Sequence, residues 1–349
     1  MTDNIKKDTV LTKLMWNTQV FAPTHYPIEL VTGESFWFFD EMGDDRVGFY
    51  AQAGGGWRNG AVDTIGGSPS SPTFLPVGVK LMWLSFAESC FYHTVMFLPQ
   101  DTLVQLAQQT LTTDEQVVKN LINIQFAIAP NGFVSLRAGF ANHIQELGTH
   151  EAEVANASWE FFALTNHFDP NLMSMEQYIA KRLEKAPKAL QEQAKNGNLP
   201  TRWQEYSERK FPWHLASDVE LFAYQVTYVN GESSWQRIFA NKQNADTPTK
   251  LQPAPAWIGL FFKKNNQRHH AVVNLSHHQF GRTEQPDDDV AVFEVFKRFF
   301  SSNRPTALVI HLTKDMTGNV FLTNGHKEQM LDAQITTKIL ADDEYPWFE

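Results

Sequence analysis

Two histidine pairs, His269-His270 and His277-His278, flank the apolar run Ala271-Val272-Val273-Asn274-Leu275. Imidazoles are common zinc ligands, and alternate residues of a strand share a face. One member of each pair could therefore meet at a metal only if the chain folded back on itself. The spacing reads more simply as polar residues at loops and strand ends, and no metal or other cofactor is expected. His93 beside Tyr92, and His311 within Val309-Ile310-His311-Leu312, lie in strand-like runs, where histidine is more often a satisfied face or core residue than a catalyst. Carboxylates cluster at Asp40-Glu41 with Asp44-Asp45 and at Asp342-Asp343-Glu344. General acid-base work needs a desolvated carboxyl, and these turn and tail clusters show no apolar setting that would supply one. The stretch Gly54-Gly55-Gly56-Trp57-Arg58-Asn59-Gly60 is unlike a phosphate-binding loop, because its glycines are contiguous and no helical pattern follows directly. Gly-x-Ser-x-Gly, Gly-Lys-Ser/Thr, His-Glu-x-x-His and Gly-x-Gly-x-x-Gly are all absent from the sequence. No catalytic residues are assigned, and an enzyme is not the expected class.

Recognition chemistry remains. An acidic hairpin tip beside the aromatic run Phe36-Trp37-Phe38-Phe39 suits protein binding, since rim charges steer association and aromatic residues anchor it. The partner-binding candidates are Asp40, Glu41, Asp44 and Asp45, together with Trp57 and Arg58 of the glycine-rich stretch. For each of them a solvated turn or a plain loop is the competing explanation. A formal charge of −10 without a basic stretch argues against nucleic acid, whose phosphates require clustered Lys and Arg.

The elements that must carry these residues follow from composition and period. With 349 residues, 42% hydrophobic and 19% charged, the chain has enough apolar surface for two ordinary cores. The single cysteine, Cys90, excludes an internal disulfide and a cysteine-based zinc site. No segment approaches the ~20 apolar residues of a membrane-spanning helix. Met1 to Lys13 has no stretch fit for a signal peptide, so action in the cytoplasm is expected, or in the periplasm if an export signal precedes these residues.

Val79 to Phe86 and Phe91 to Leu98 predict a hairpin turning at Glu88-Ser89, and Pro130-Asn131-Gly132 predicts another between Ile122 to Ala129 and Phe133 to Arg137. Asp101, Thr113 with Gln116, and Ser174 with Gln177 mark helix starts. Gly54 to Gly60, continued by Gly66 to Pro72, predicts one long loop. From Val219 onward strands return, interrupted by one helix with Val290, Phe293, Phe296 and Phe300 along a face.

The halves resemble each other. Val31-Thr32-Gly33-Glu34-Ser35-Phe36-Trp37 matches Val229-Asn230-Gly231-Glu232-Ser233-Ser234-Trp235 at five of seven positions. In the same order follow Leu75-Pro76 with Gln252-Pro253, Asn131-Gly132 with Thr317-Gly318, and Phe211-Pro212-Trp213 with Tyr345-Pro346-Trp347. The expected fold is α+β, with two tandem, mainly antiparallel β-sheet units and a few helices. The first is expected over residues 14–215 and the second, shorter one over 216–349, each closing on a Pro-Trp anchor.

The first unit resembles a bacterial family of unknown biochemical activity, mostly small lipoproteins, often encoded beside phospholipase effectors of the type VI secretion system. The resemblance rests on Trp16, Pro23-Thr24-His25-Tyr26-Pro27, Leu75-Pro76 leading into Leu81-Met82-Trp83-Leu84-Ser85-Phe86, Tyr92, and Phe126-Ala127-Ile128-Ala129-Pro130-Asn131-Gly132. It covers roughly residues 16–215, and it implies an immunity role: binding a cognate toxic effector, such as a lipase, and blocking it. The family supplies no catalytic residues, and its usual export signal and lipidated cysteine have no counterpart between Met1 and Lys13. Two other classes stay open: a hydrolase whose histidine and carboxylate come from distant segments, and a carbohydrate-binding module, which would show a flat row of Trp or Tyr on one sheet face.

Overall fold

The computed structural model describes residues 13–40, 46–58, 63–111, 121–140, 143–184, 199–238, 249–276, 289–300, 304–313 and 317–341, with isolated positions between some of these segments. Strands 13–21 and 211–217 alternate buried and half-buried residues, as a sheet with one face on a core requires, whereas 78–85 is buried on both faces. Two tandem units follow, each built from two sheets.

In the first unit, one sheet has the strand order 63–74, 13–21, 121–129, 133–140, 143–151, and the other the order 153–155, 90–97, 78–85, 28–30, 52–53. The second unit repeats this order strand for strand: 250–252, 211–217, 306–312, 318–323, 328–331, and then 334–339, 267–274, 255–264, 221–228, 233–237. Even the parallel pair recurs, 13–21 with 121–129 and 211–217 with 306–312. In both units a helix precedes the second strand of that pair, α1 (Gln100–Leu111) and, counted after three helices between, α5 (Asp289–Phe299). The units join edge to edge where Ile144 pairs with Ser233, which makes one ten-stranded sheet.

Phe211-Pro212-Trp213, expected to close the first unit, instead opens the second. Trp213 occupies the place of Trp16: its indole donates to the Pro253 carbonyl as that of Trp16 does to Phe74. Tyr345-Pro346-Trp347 lies outside the described residues. The stretch Gly66 to Pro72, expected to be loop, belongs to the strand 63–74. Its prolines are tolerated because this is an edge strand, and because the register slips between the pairs Leu14 with Thr73 and Trp16 with Ser68, where no ladder donor is demanded. The expected hairpins stand, with Asn131 and Gly132 both at positive φ in the second of them.

Between the units three helices are described along their length: α2 (Trp159–Thr165), α3 (Met175–Leu183) and α4 (Arg202–Glu208). Ser174 caps α3 through the predicted box with Gln177. Phe162, Ile179 and their neighbours bury the outward residues Met82, Leu84 and Phe91 of the 78–85 and 90–97 strands. The cover is latched at Glu29, which accepts from Tyr50 Oη (3.1 Å), Asn166 Nδ2 (3.3 Å), Tyr178 Oη (2.5 Å) and Arg182 Nη2 (3.2 Å). Removing this buried acceptor strands several donors at once. Glu29→Ala is therefore expected to cost about 2–4 kcal/mol in urea unfolding and to speed amide exchange selectively in α3.

Candidate protein-interaction face

Helices α2 and α3 cover only half of the outer sheet face of the first unit. Along the 90–97 strand, side chains at 91, 93, 95 and 97 point outward. Phe91 lies under the helices, whereas Val95 and Phe97 are 53% and 62% exposed. Across the sheet, Val95 faces Lys80 and Phe97 faces Gly78, and these two face Phe36 and Phe38 on the next strand. A Cβ at Gly78 would come within 2.2 Å of the Phe38 ring, so glycine lets that ring lie across the strand and meet Phe97 edge-on at 5.6 Å. Lys80 Nζ stands 5.5 Å and the Arg46 guanidinium 5.1 Å from the centre of the Phe36 ring, while Lys80 also pairs with Glu34. Phe36 itself pairs with Gly48 in its hairpin, so no side chain on that strand covers the ring from that side. The result is an apolar, aromatic patch rimmed by both charge signs, the make-up of a protein-binding surface.

Of the acidic candidates, Asp40 is half-buried two residues beyond Phe38, and Glu41, Asp44 and Asp45 lie outside the described residues. Trp57 and Arg58 are elsewhere and buried, which removes them from any face a partner could reach. The glycine-rich segment runs inward: Gly54 lies so close to Pro27 that a Cβ would come within 2.7 Å, and the Gly56 amide bonds to Ala22. Trp57 then packs against Phe133 and Trp203, at 6.2 and 6.1 Å between ring centres. Arg58 reaches the second unit, donating to both Asp289 oxygens at 2.7 and 3.0 Å and to Ser276 Oγ at 3.1 Å.

The seam between the units is charged and buried. Arg137 is fully buried, donates Nη1 to the Trp57 carbonyl, and stacks on that indole at 4.5 Å. Desolvation pulls its pKa down to about 10, against the pull of Glu146 and Glu232. Burial pushes Glu146 up, and the Ser135 and Ser207 hydroxyls that donate to it restrain the rise. Gly231, at φ +86, makes room here, since a Cβ would fall 1.9 Å from Arg137 Nη1.

Chemistry elsewhere is sparse. His269 and His270 are buried in a strand and stacked on Phe262 and Phe261, and His277 and His278 lie outside the described residues. His93 stands 3.8 Å from Glu153, and His311 donates Nδ1–H to Asp218, 93 positions earlier in the chain. Sequence reasoning names His311 but not its partner, which the parallel pairing of 211–217 with 306–312 brings alongside. A cleft of about 590 Å³ beside α2 and one of about 250 Å³ between Phe133 and Trp203 contain neither His93 nor His311. On the second unit Trp235 meets Phe261 at an interplanar angle of 60°, which does not form a flat platform. Among the described residues no three His, Cys, Asp or Glu side chains gather to hold a metal, and no helix is long and apolar enough to cross a membrane.

A family model described as "Protein of unknown function (DUF2931)" matches residues 2–201, ending before the first strand of the second unit. No curated protein and no solved structure matches the chain.

Proposed function

The chain belongs to this family of unknown function, since the match at 2–201 spans more than half of its length, and on that premise we propose that it is an immunity protein that binds and blocks a secreted toxic effector. The observation that carries the reading is the uncovered half of the outer sheet face, with Val95 and Phe97 exposed beside the cation-flanked Phe36 ring. A stoichiometric inhibitor needs such a face, burying about 1,600 Å² in total with its partner, and no catalytic group. Asp40, two residues beyond Phe38, and Glu34 would help steer a basic rim of the effector onto it. The resemblance drawn from Trp16, Leu75-Pro76 and Pro130-Asn131-Gly132 makes a type VI lipase effector the first partner to try.

The test is a pull-down with this chain as bait from its own host, followed by toxicity rescue with whatever co-purifies. A one-to-one partner whose toxicity is abolished supports the reading, and a partner without toxicity counts against it. A second reading, a hydrolase, is favoured by one observation, the His311–Asp218 pair, whose imidazole is exposed for proton transfer. Ester or glycan turnover lost in His311→Ala would replace the inhibitor reading.

A further inference from the structure

The repeat exposes an open sheet edge. Strand 90–97 pairs with 78–85 along its whole length, but on its other side 153–155 covers only Phe91, Tyr92 and His93. Among the described residues no strand lies beside Thr94, Val95, Met96 and Phe97. In the second unit the same edge is filled. The equivalent strand there is 267–274, which pairs with 255–264 as 90–97 does with 78–85. Beside Val273 and Asn274 lie Ile335 and Gln334.

The open edge has neither charge nor proline before Pro99, the usual guards against strand addition. Its residue types favour pairing, and Val95 and Phe97 leave apolar surface on the outer side.

We propose that this edge joins two copies of the chain, Thr94–Phe97 of one pairing antiparallel with Thr94–Phe97 of the other about a two-fold axis. Antiparallel pairing of a segment with itself is two-fold by construction, and with Met96 on the axis it sets Val95 opposite Phe97 of the other copy. Val95 and Phe97 of both copies then lie on one face as cross-strand neighbours, with no like charges opposed. The two seven-stranded sheets become one, and the two aromatic patches stand side by side. The inference does not depend on the inhibitor reading, because it concerns the free protein.

Sedimentation velocity on the full chain from roughly 1 to 200 µM is the test, a range suited to a contact of modest area. The expected result is a shift from monomer to dimer, with association weakened at least about tenfold in Phe97→Lys and in Val95→Lys. Amide exchange at 94–97 in the unsubstituted protein should slow as dimer forms. A monomer across the whole range overturns the proposal. So does a dimer unaffected by both substitutions, or one whose exchange at 94–97 does not slow.

Discussion

Asp289→Ala is expected to lower the unfolding free energy by about 3–5 kcal/mol, among the largest losses that any single truncation in this chain should produce. The side chains of Arg58 and Asp289 are only 7% and 1% exposed, so the guanidinium left behind would be a buried charge without its counter-ion. Removing both partners is a different experiment. Arg58→Met with Asp289→Leu takes the charges away together, and the double variant should recover much of the loss, giving a coupling energy of at least about 2 kcal/mol in a double-mutant cycle. Urea unfolding followed by tryptophan emission measures both, because Trp57 and Trp203 lie in the same seam. Equal, additive losses in the two single variants would show that the pair does not hold the units together.

On the open face, Phe36→Ala combined with Lys80→Ala should weaken effector binding by about 2–4 kcal/mol, roughly 30- to 1,000-fold in Kd. The effect is large because Phe36 is the ring on which both Lys80 and Arg46 rest, so truncation removes an aromatic anchor and unseats two cations together. The fold should tolerate the change, with less than about 1 kcal/mol lost in urea, since both side chains lie on the outward face away from the core beneath. Retained protection against the toxin by this double variant would move the binding site off the face.

Local signals in the sequence were legible wherever one element decided the outcome. The hairpins at Glu88-Ser89 and Pro130-Asn131-Gly132, the capping box at Ser174 and the phenylalanine face of α5 follow from turn chemistry and period, and the structure has all of them. The shared Val-x-Gly-Glu-Ser segment was legible as a repeat, and Gly33 and Gly231 sit at φ +80 and +86. Its consequence was not: 229–232 turns the chain into a hairpin with 233–237, whereas 31–35 loops out of a path that resumes beside the same 78–85 strand.

What failed was tertiary. The Gly-Ser-Pro composition of 66–72 signals loop, yet an edge of the first sheet takes it as a strand. Trp57 and Arg58 carry the residue types of a binding loop, but only the packing of distant segments, through Asp289 and Trp203, makes them interior. The open face was half legible, as an aromatic strand beside an acidic turn. Its reach to Val95 and Phe97 depends on where α2 and α3 stop covering the sheet, which no local pattern encodes.

The inhibitor reading is tested most directly by co-producing this chain with candidate secreted toxins of its own host, type VI lipases first, and scoring survival together with the stoichiometry of the purified complex. The expected result is survival and a complex with one effector per chain, both lost in Phe36→Ala with Lys80→Ala. Death of the cells despite soluble chain, with no complex at micromolar concentrations, would contradict it.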